Sequence, residues 1–170
     1  FGEVGELIKK KGLQLLRKSD LKGRKASESG NSHNKVAPVI LLDTLGELGK
    51  IYSIADIVFV GGSLVKGIGG HNLLEPAAYK KPILFGPYVE NWMHVAKGVE
   101  DAGGAIKVRN SDELKEKLIE LFSDKAMPEK VGEAAYKVAS ENGGATERNM
   151  EIIEGLLLRN GSQFTGGRKS

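Results

Sequence analysis

Apolar residues along this chain fall into short continuous runs and into stripes spaced three or four apart, and the alternation of the two predicts strand-helix units. Val4, Leu7, Ile8 and Leu15 share one helical face, which predicts an amphipathic helix over 2–18 that runs through Gly12. Ala37 to Leu42 is a continuous apolar run that reads as a strand, and Asp43-Thr44-Leu45-Gly46-Glu47-Leu48 follows it as a turn opening a helix to residue 55. The order then repeats. A strand at 57–60 leads to a glycine loop and a helix over 73–79; a strand at 83–85 leads to Gly86-Pro87 and a helix over 91–102; a strand at 105–108 closes the series.

Three helices follow. Leu114, Leu118, Leu121 and Phe122 give the first its apolar face, Val131, Ala134, Ala135, Val138 and Ala139 the second, and Met150, Ile153, Leu156 and Leu157 the third. Ser111 reads as an N-cap ahead of Asp112 and Glu113, and Pro128 suits a helix start. Residues 19–35 read as a polar, mobile loop and 161–170 as a frayed tail. The pattern predicts an α/β domain over 1–160, a Rossmann-like parallel sheet flanked by helices, with ligands at the carboxyl ends of the strands. Such a domain ordinarily opens on a strand, so a start on a helix implies that the first strand is missing.

The most informative stretch is Phe59-Val60-Gly61-Gly62-Ser63-Leu64 followed by Gly69-Gly70-His71-Asn72-Leu73-Leu74-Glu75-Pro76. It reads as strand, glycine loop, helix start. Glycines let backbone N–H groups approach a ligand without Cβ obstruction, and the unpaired N–H groups of a helix start favour a phosphate or carboxylate. Asn72 and Glu75 fall where the first turn can reach sugar hydroxyls. The dinucleotide fingerprint lacks its last glycine here and there is no G-x-x-x-x-G-K-[ST], so neither a dehydrogenase nor a P-loop enzyme is indicated.

Composition narrows the partners. With 170 residues, 40% of them hydrophobic, the chain has enough material for one substantial core. It contains no cysteine, and His33, His71 and His94 are scattered, so neither disulfides nor a zinc site is indicated and no metal or cofactor is expected. A net charge of +3 is too small to point to nucleic acid. Lys9-Lys10-Lys11, Arg17-Lys18 and the lysines between 22 and 25 could meet an anionic membrane surface, though a solvated helix face explains them equally well.

Three loops after strands, at 43–47, 61–75 and 86–91, are expected to meet at one edge of the sheet. Together with Leu84-Phe85-Gly86-Pro87-Tyr88-Val89-Glu90-Asn91-Trp92 and Asn142-Gly143-Gly144-Ala145, their sequences resemble the 3-deoxy-D-manno-octulosonic acid (Kdo) transferases over most of the chain. Lys66-Gly67-Ile68 departs from the residues commoner there. The resemblance implies the C-terminal, donor-binding half of a two-domain GT-B glycosyltransferase that moves Kdo from CMP-Kdo to a lipid A precursor at the cytoplasmic face of the bacterial inner membrane. It implies that the general base belongs to an N-terminal domain absent from this chain.

Carried over by motif, Leu45, Gly46 and Glu47 contact CMP-Kdo, as do Gly61, Gly62, Ser63, Gly70, His71, Asn72, Leu73, Leu74 and Glu75. Each has a plainer reading beside it. Glu47 and Glu75 suit a helix dipole, Asn72 an N-cap, His71 a backbone partner, Ser63 its own turn, and Tyr88 and Trp92 packing. The alternatives are another GT-B transferase, a sugar-nucleotide epimerase, or a nucleotide-binding module without catalysis.

Overall fold

A computed structural model describes residues 1–21, 37–143, 150 and 153–154. The chain divides into two compact units, Phe1–Ser53 and Ile54–Ser170. In the first, helix α1 (Gly2–Lys10) is followed by strand β1 (Leu15–Arg17), strand β2 (Val39–Leu41) and helix α2 (Leu48–Ile54). β1 and β2 pair in parallel with Leu15 opposite Val39 and Arg17 opposite Leu41.

The expected helix over 2–18 is therefore too long. Gly12 takes φ +70, a left-handed conformation that glycine adopts without a Cβ penalty, and the chain beyond it is extended. The stripe ending at Leu15 joins a helix to a strand. α1 meets β1 through the buried Gly5, where an added Cβ would stand 3.0 Å from Arg17 Nη2 and 3.4 Å from Leu15 Cδ2, while Val4 and Leu7 stay exposed.

The second unit holds a three-stranded parallel sheet, β3 (Val58–Val60), β4 (Ile83–Phe85) and β5 (Ala105–Lys107), with β4 in the middle. Alternation along β4 sends Ile83 and Phe85 to one face and Leu84 to the other, and all three are buried. On the first face Leu73 and Ala77 of the helix α3 (Leu74–Ala78) region, Ala96 and Val99 of α4 (Met93–Asp101) and Ala135 of α6 (Met127–Asn142) complete a core. On the second, Leu121 of α5 (Ser111–Ser123) packs with Leu84 and Val108, and Leu114 and Leu118 support it. Two covered faces explain why β3 and β4 read as unbroken apolar runs, while β5, at one edge, ends on the exposed Lys107.

Details at the helix ends correct the sequence reading. The N-cap of α5 is Asn110, whose Oδ1 accepts the N–H groups of Asp112 and Glu113, each at 3.0 Å, so Ser111 is the first helical residue. Phe122 is 66% exposed, because the inward stripe of α5 centres on Leu114, Leu118 and Leu121 and leaves residue 122 about 70° from that centre, at the stripe's edge. Pro128 does sit in the first turn of α6. The polar loop at 22–35, Leu156 and Leu157 of the last expected helix, Gly144-Ala145 and the tail lie outside the described residues.

α3 and α6 are clasped together. Lys80, just past α3, has φ +57, and an added Cβ on Gly132 of α6 would fall 2.0 Å from its carbonyl oxygen. The Lys80 ammonium bonds Glu133 Oε1 at 2.7 Å and lies 4.9 Å from the centre of the Tyr136 ring.

Candidate functional site

β3 ends on the buried Val60, and the chain leaves the sheet in a tight 3-10 turn, Gly61–Leu64. The turn needs glycine because the loop folds back onto it: a Cβ on Gly62 would lie 2.5 Å from the Gly69 carbonyl oxygen. Ser63, inside the turn, is fully buried. Its hydroxyl donates to the Val60 carbonyl and accepts the Gly86 N–H at 2.6 Å, and its carbonyl accepts the Tyr88 N–H at 2.9 Å. The loop after β4 is thereby pinned to the loop after β3. The same two loops touch where a Cβ on Gly86 would meet the Ser63 carbonyl oxygen at 2.3 Å and one on Gly70 would meet Val89 Cγ1 at 2.9 Å.

Gly67 and Gly69 carry φ of +83 and +72, which turn the loop back toward the sheet. Asn91 Nδ2 and Glu90 Oε2 each stand 4.0 Å from the place a Cβ on Gly69 would take. The chain then enters α3, where Asn72 Oδ1 accepts the Leu74 N–H at 3.0 Å, as its plainer reading expects. Leu73 is sealed in the core, Leu74 is half-buried against it, and His71 and Glu75 are exposed. Gly61 is exposed and Gly70 half-buried.

For Ser63 and Leu73, burial leaves the backbone as the part of the residue that a ligand could meet. The Ser63 hydroxyl uses its donor and an acceptor position inside the protein, and the Leu73 side chain fills the core, so neither side chain reaches the surface. Tyr88 and Trp92 are only half-buried, and the anchor of their segment is Val89.

In the first unit, the loop after β2 is held by charge. Asp43 accepts the Ser19 N–H at 2.9 Å and its hydroxyl at 2.7 Å, with Arg17 Nη1 3.6 Å away. Glu47 accepts the Thr44 hydroxyl and faces Lys18 Nζ at 3.6 Å. The Ser19 hydrogen bonds hold the Asp43 carboxyl below its ordinary value, and the Thr44 hydroxyl, with Lys18 and Lys50 nearby, does the same for Glu47. Between them Gly46 takes φ +78 and Leu45 stands 97% exposed.

Of the three loops expected to meet, those at 61–75 and 86–91 do so within the second unit; Leu45, Gly46 and Glu47 belong to the first. Arg17, Lys18 and Ser19 are the residues the sequence reading missed. The signal was Gly12 ahead of Leu13, Leu15 and Leu16, a break followed by a strand-like run just before a polar loop. No group of three or more His, Asp or Glu side chains able to hold a metal ion gathers among the described residues.

The profile of the family Glycosyl transferases group 1 matches residues 26–138, more than half of the chain. The chain belongs to this family. As a group 1 glycosyl transferase it has relatives called 3-deoxy-D-manno-octulosonic acid transferase. That of Haemophilus influenzae is 37% identical over 161 residues, covering 94% of this chain and 35% of the relative. That of Aquifex aeolicus is 37% identical over 123 residues, covering 72% and 33%. The chain thus spans about a third of the length of these relatives. Among solved structures, the C-terminal CMP-Kdo binding domain of WaaA from Acinetobacter baumannii superposes with a TM-score of 0.67 at 28% identity, covering 81% of this chain and 66% of that one. The parallel α/β architecture expected from the sequence is the architecture shared with that domain. No helix among the described residues is long and apolar enough to cross a membrane.

Proposed function

We propose that this chain binds CMP-Kdo as the donor half of a GT-B glycosyltransferase that transfers Kdo to a lipid A precursor in lipopolysaccharide synthesis, at the cytoplasmic face of the inner membrane. The observation that carries the reading is the likeness, over four-fifths of the chain, to a CMP-Kdo binding domain. The loops support it. Backbone N–H groups at Gly46 or at Asn72 suit the nucleotide phosphate, and the exposed Glu75 carboxylate suits ribose hydroxyls as a hydrogen-bond acceptor.

In this reading CMP is the leaving group. Charge develops on its phosphate as the bond to Kdo breaks, and N–H donors already aimed at that position stabilise it without reorganising. The acceptor hydroxyl is the lipid A precursor's, and the acceptor site and the base that deprotonates that hydroxyl come from the remainder of the enzyme, so the 170 residues alone transfer no Kdo.

The experiment is a titration of the chain with CMP followed by amide NMR, with UDP as the comparison. CMP should shift Gly46, Glu47, Asn72 and Glu75 and should bind more tightly than UDP. Shifts confined to α6, or equal affinity for UDP, would sink the assignment. Glu75→Gln keeps the size but loses the anionic acceptor, and should weaken CMP binding about tenfold while leaving the melting temperature unchanged.

A further inference from the structure

Ser63 is the one fully buried polar side chain among the described residues; two hydrogen bonds converge on its hydroxyl and a third on its main-chain carbonyl. Two of them go to the loop after β4, to the N–H groups of Gly86 and Tyr88. We propose that Ser63 is a positioning residue that couples the two ligand-facing loops of the second unit, setting Glu90 and Asn91 beside Gly69 so that both loops close on the donor together. This rests on the reading that residues 61–75 bind the donor.

The geometry suits serine. The hydroxyl must donate to Val60 and accept from Gly86 in one small space, which needs a group that is donor and acceptor at once. Alanine would leave the Gly86 N–H and the Val60 carbonyl without this partner in a dry site. Threonine would add a methyl where Gly70 already comes close, the place of its missing Cβ being 3.5 Å from Ser63 Cβ. Because Gly86 and Gly70 have no room for a side chain, the loops have little lateral play. A ligand closing on the residues near Gly69 is therefore felt at Tyr88, Glu90 and Asn91.

The test is amide NMR on the 170-residue chain with CMP as probe, comparing wild type, Ser63→Ala and Ser63→Cys. In wild type, CMP should shift Tyr88, Glu90 and Asn91 along with Asn72 and Glu75. In Ser63→Ala, which keeps the main-chain bond to Tyr88 but loses the hydroxyl's two, the shifts at 88–91 should shrink and CMP binding weaken about tenfold, while amides of α5 and α6 keep their positions. Ser63→Cys, of similar size and with a weaker donor, should fall between the two and covers the case in which the alanine variant does not fold. A folded variant that binds CMP as wild type and still moves Glu90 and Asn91 would overturn the coupling. If wild type binds no CMP, the proposed function fails, and the coupling is read without ligand: Ser63→Cys should then displace Gly86, Tyr88, Glu90 and Asn91, and an unmoved set would overturn it separately.

Discussion

The loop after β2 and the loop after β3 leave their strands alike and are held in opposite ways. The first is fixed by ionised side chains near water, Asp43 with Ser19 and Arg17, Glu47 with Thr44 and Lys18. The second is fixed by a buried neutral hydroxyl and by glycines packed against backbone. Charged fastening responds to pH and salt and tolerates changes of volume. Steric fastening has the reverse sensitivities, since close-packed interiors resist even one added methyl group.

The sharpest way to break this contrast is Gly62→Ala, whose new Cβ would fall 2.5 Å from the Gly69 carbonyl oxygen. It should destabilise the second unit by about 2–3 kcal/mol in urea melts while amides of Leu16 and Ile40 stay put. A wild-type melt would mean that the glycine loop is looser than described. Acid should act on the other loop. Both carboxyls are depressed below their ordinary values of 3.8 and 4.5, so their contribution is complete above those values and is lost as pH falls through the lower, folded-state ones. Amides of residues 44–47 should shift cooperatively below about pH 4, whereas Gly62, Ser63 and Gly86 should not. In the second unit the Arg109 side chain and N–H depress Glu113 at the start of α5.

Smaller effects sharpen the same contrast. Asn110→Ala removes a neutral cap and should lower stability by about 1 kcal/mol, equally at low and high salt. Lys18→Met should raise the Glu47 pKa toward its ordinary value, read from its side-chain carbon resonance, with a change in melting too small to resolve. An Asn110→Ala loss that fades in salt, or a Glu47 that titrates unchanged, would remove the distinction between the two kinds of fastening.

What the sequence made legible was whatever had a local cause. The strands at 58–60 and 83–85 were readable because a strand covered on both faces is apolar throughout; that at 105–107 showed Ala105 and Ile106 before an exposed Lys107, and Gly61-Gly62 marked the turn after residue 60. The end of α1 was missed because apolar spacing happens to continue across Gly12, so a helical stripe and a strand residue share one period. The role of Ser63 was hidden for another reason: its partners Gly86 and Tyr88 lie more than twenty residues away, and nothing local distinguishes a serine facing a ligand from one facing inward. The Lys18 and Glu47 pairing depends likewise on a parallel register that no local pattern encodes.

The clasp at Lys80 bears on the order in which this chain matures. Every residue of the glycine loop and of α3 precedes residue 80, yet the left-handed turn that ends α3 is secured by Gly132, Glu133 and Tyr136, with the Lys80–Glu133 contact spanning 53 positions. A contact that distant forms only after a long stretch of chain has closed on itself. During synthesis the glycine loop and α3 therefore leave the ribosome without this support and wait for α6. A chain stopped after residue 126 should hold the β3–β4–β5 sheet but expose the bond after Lys80 to trypsin, a cut that the complete chain resists.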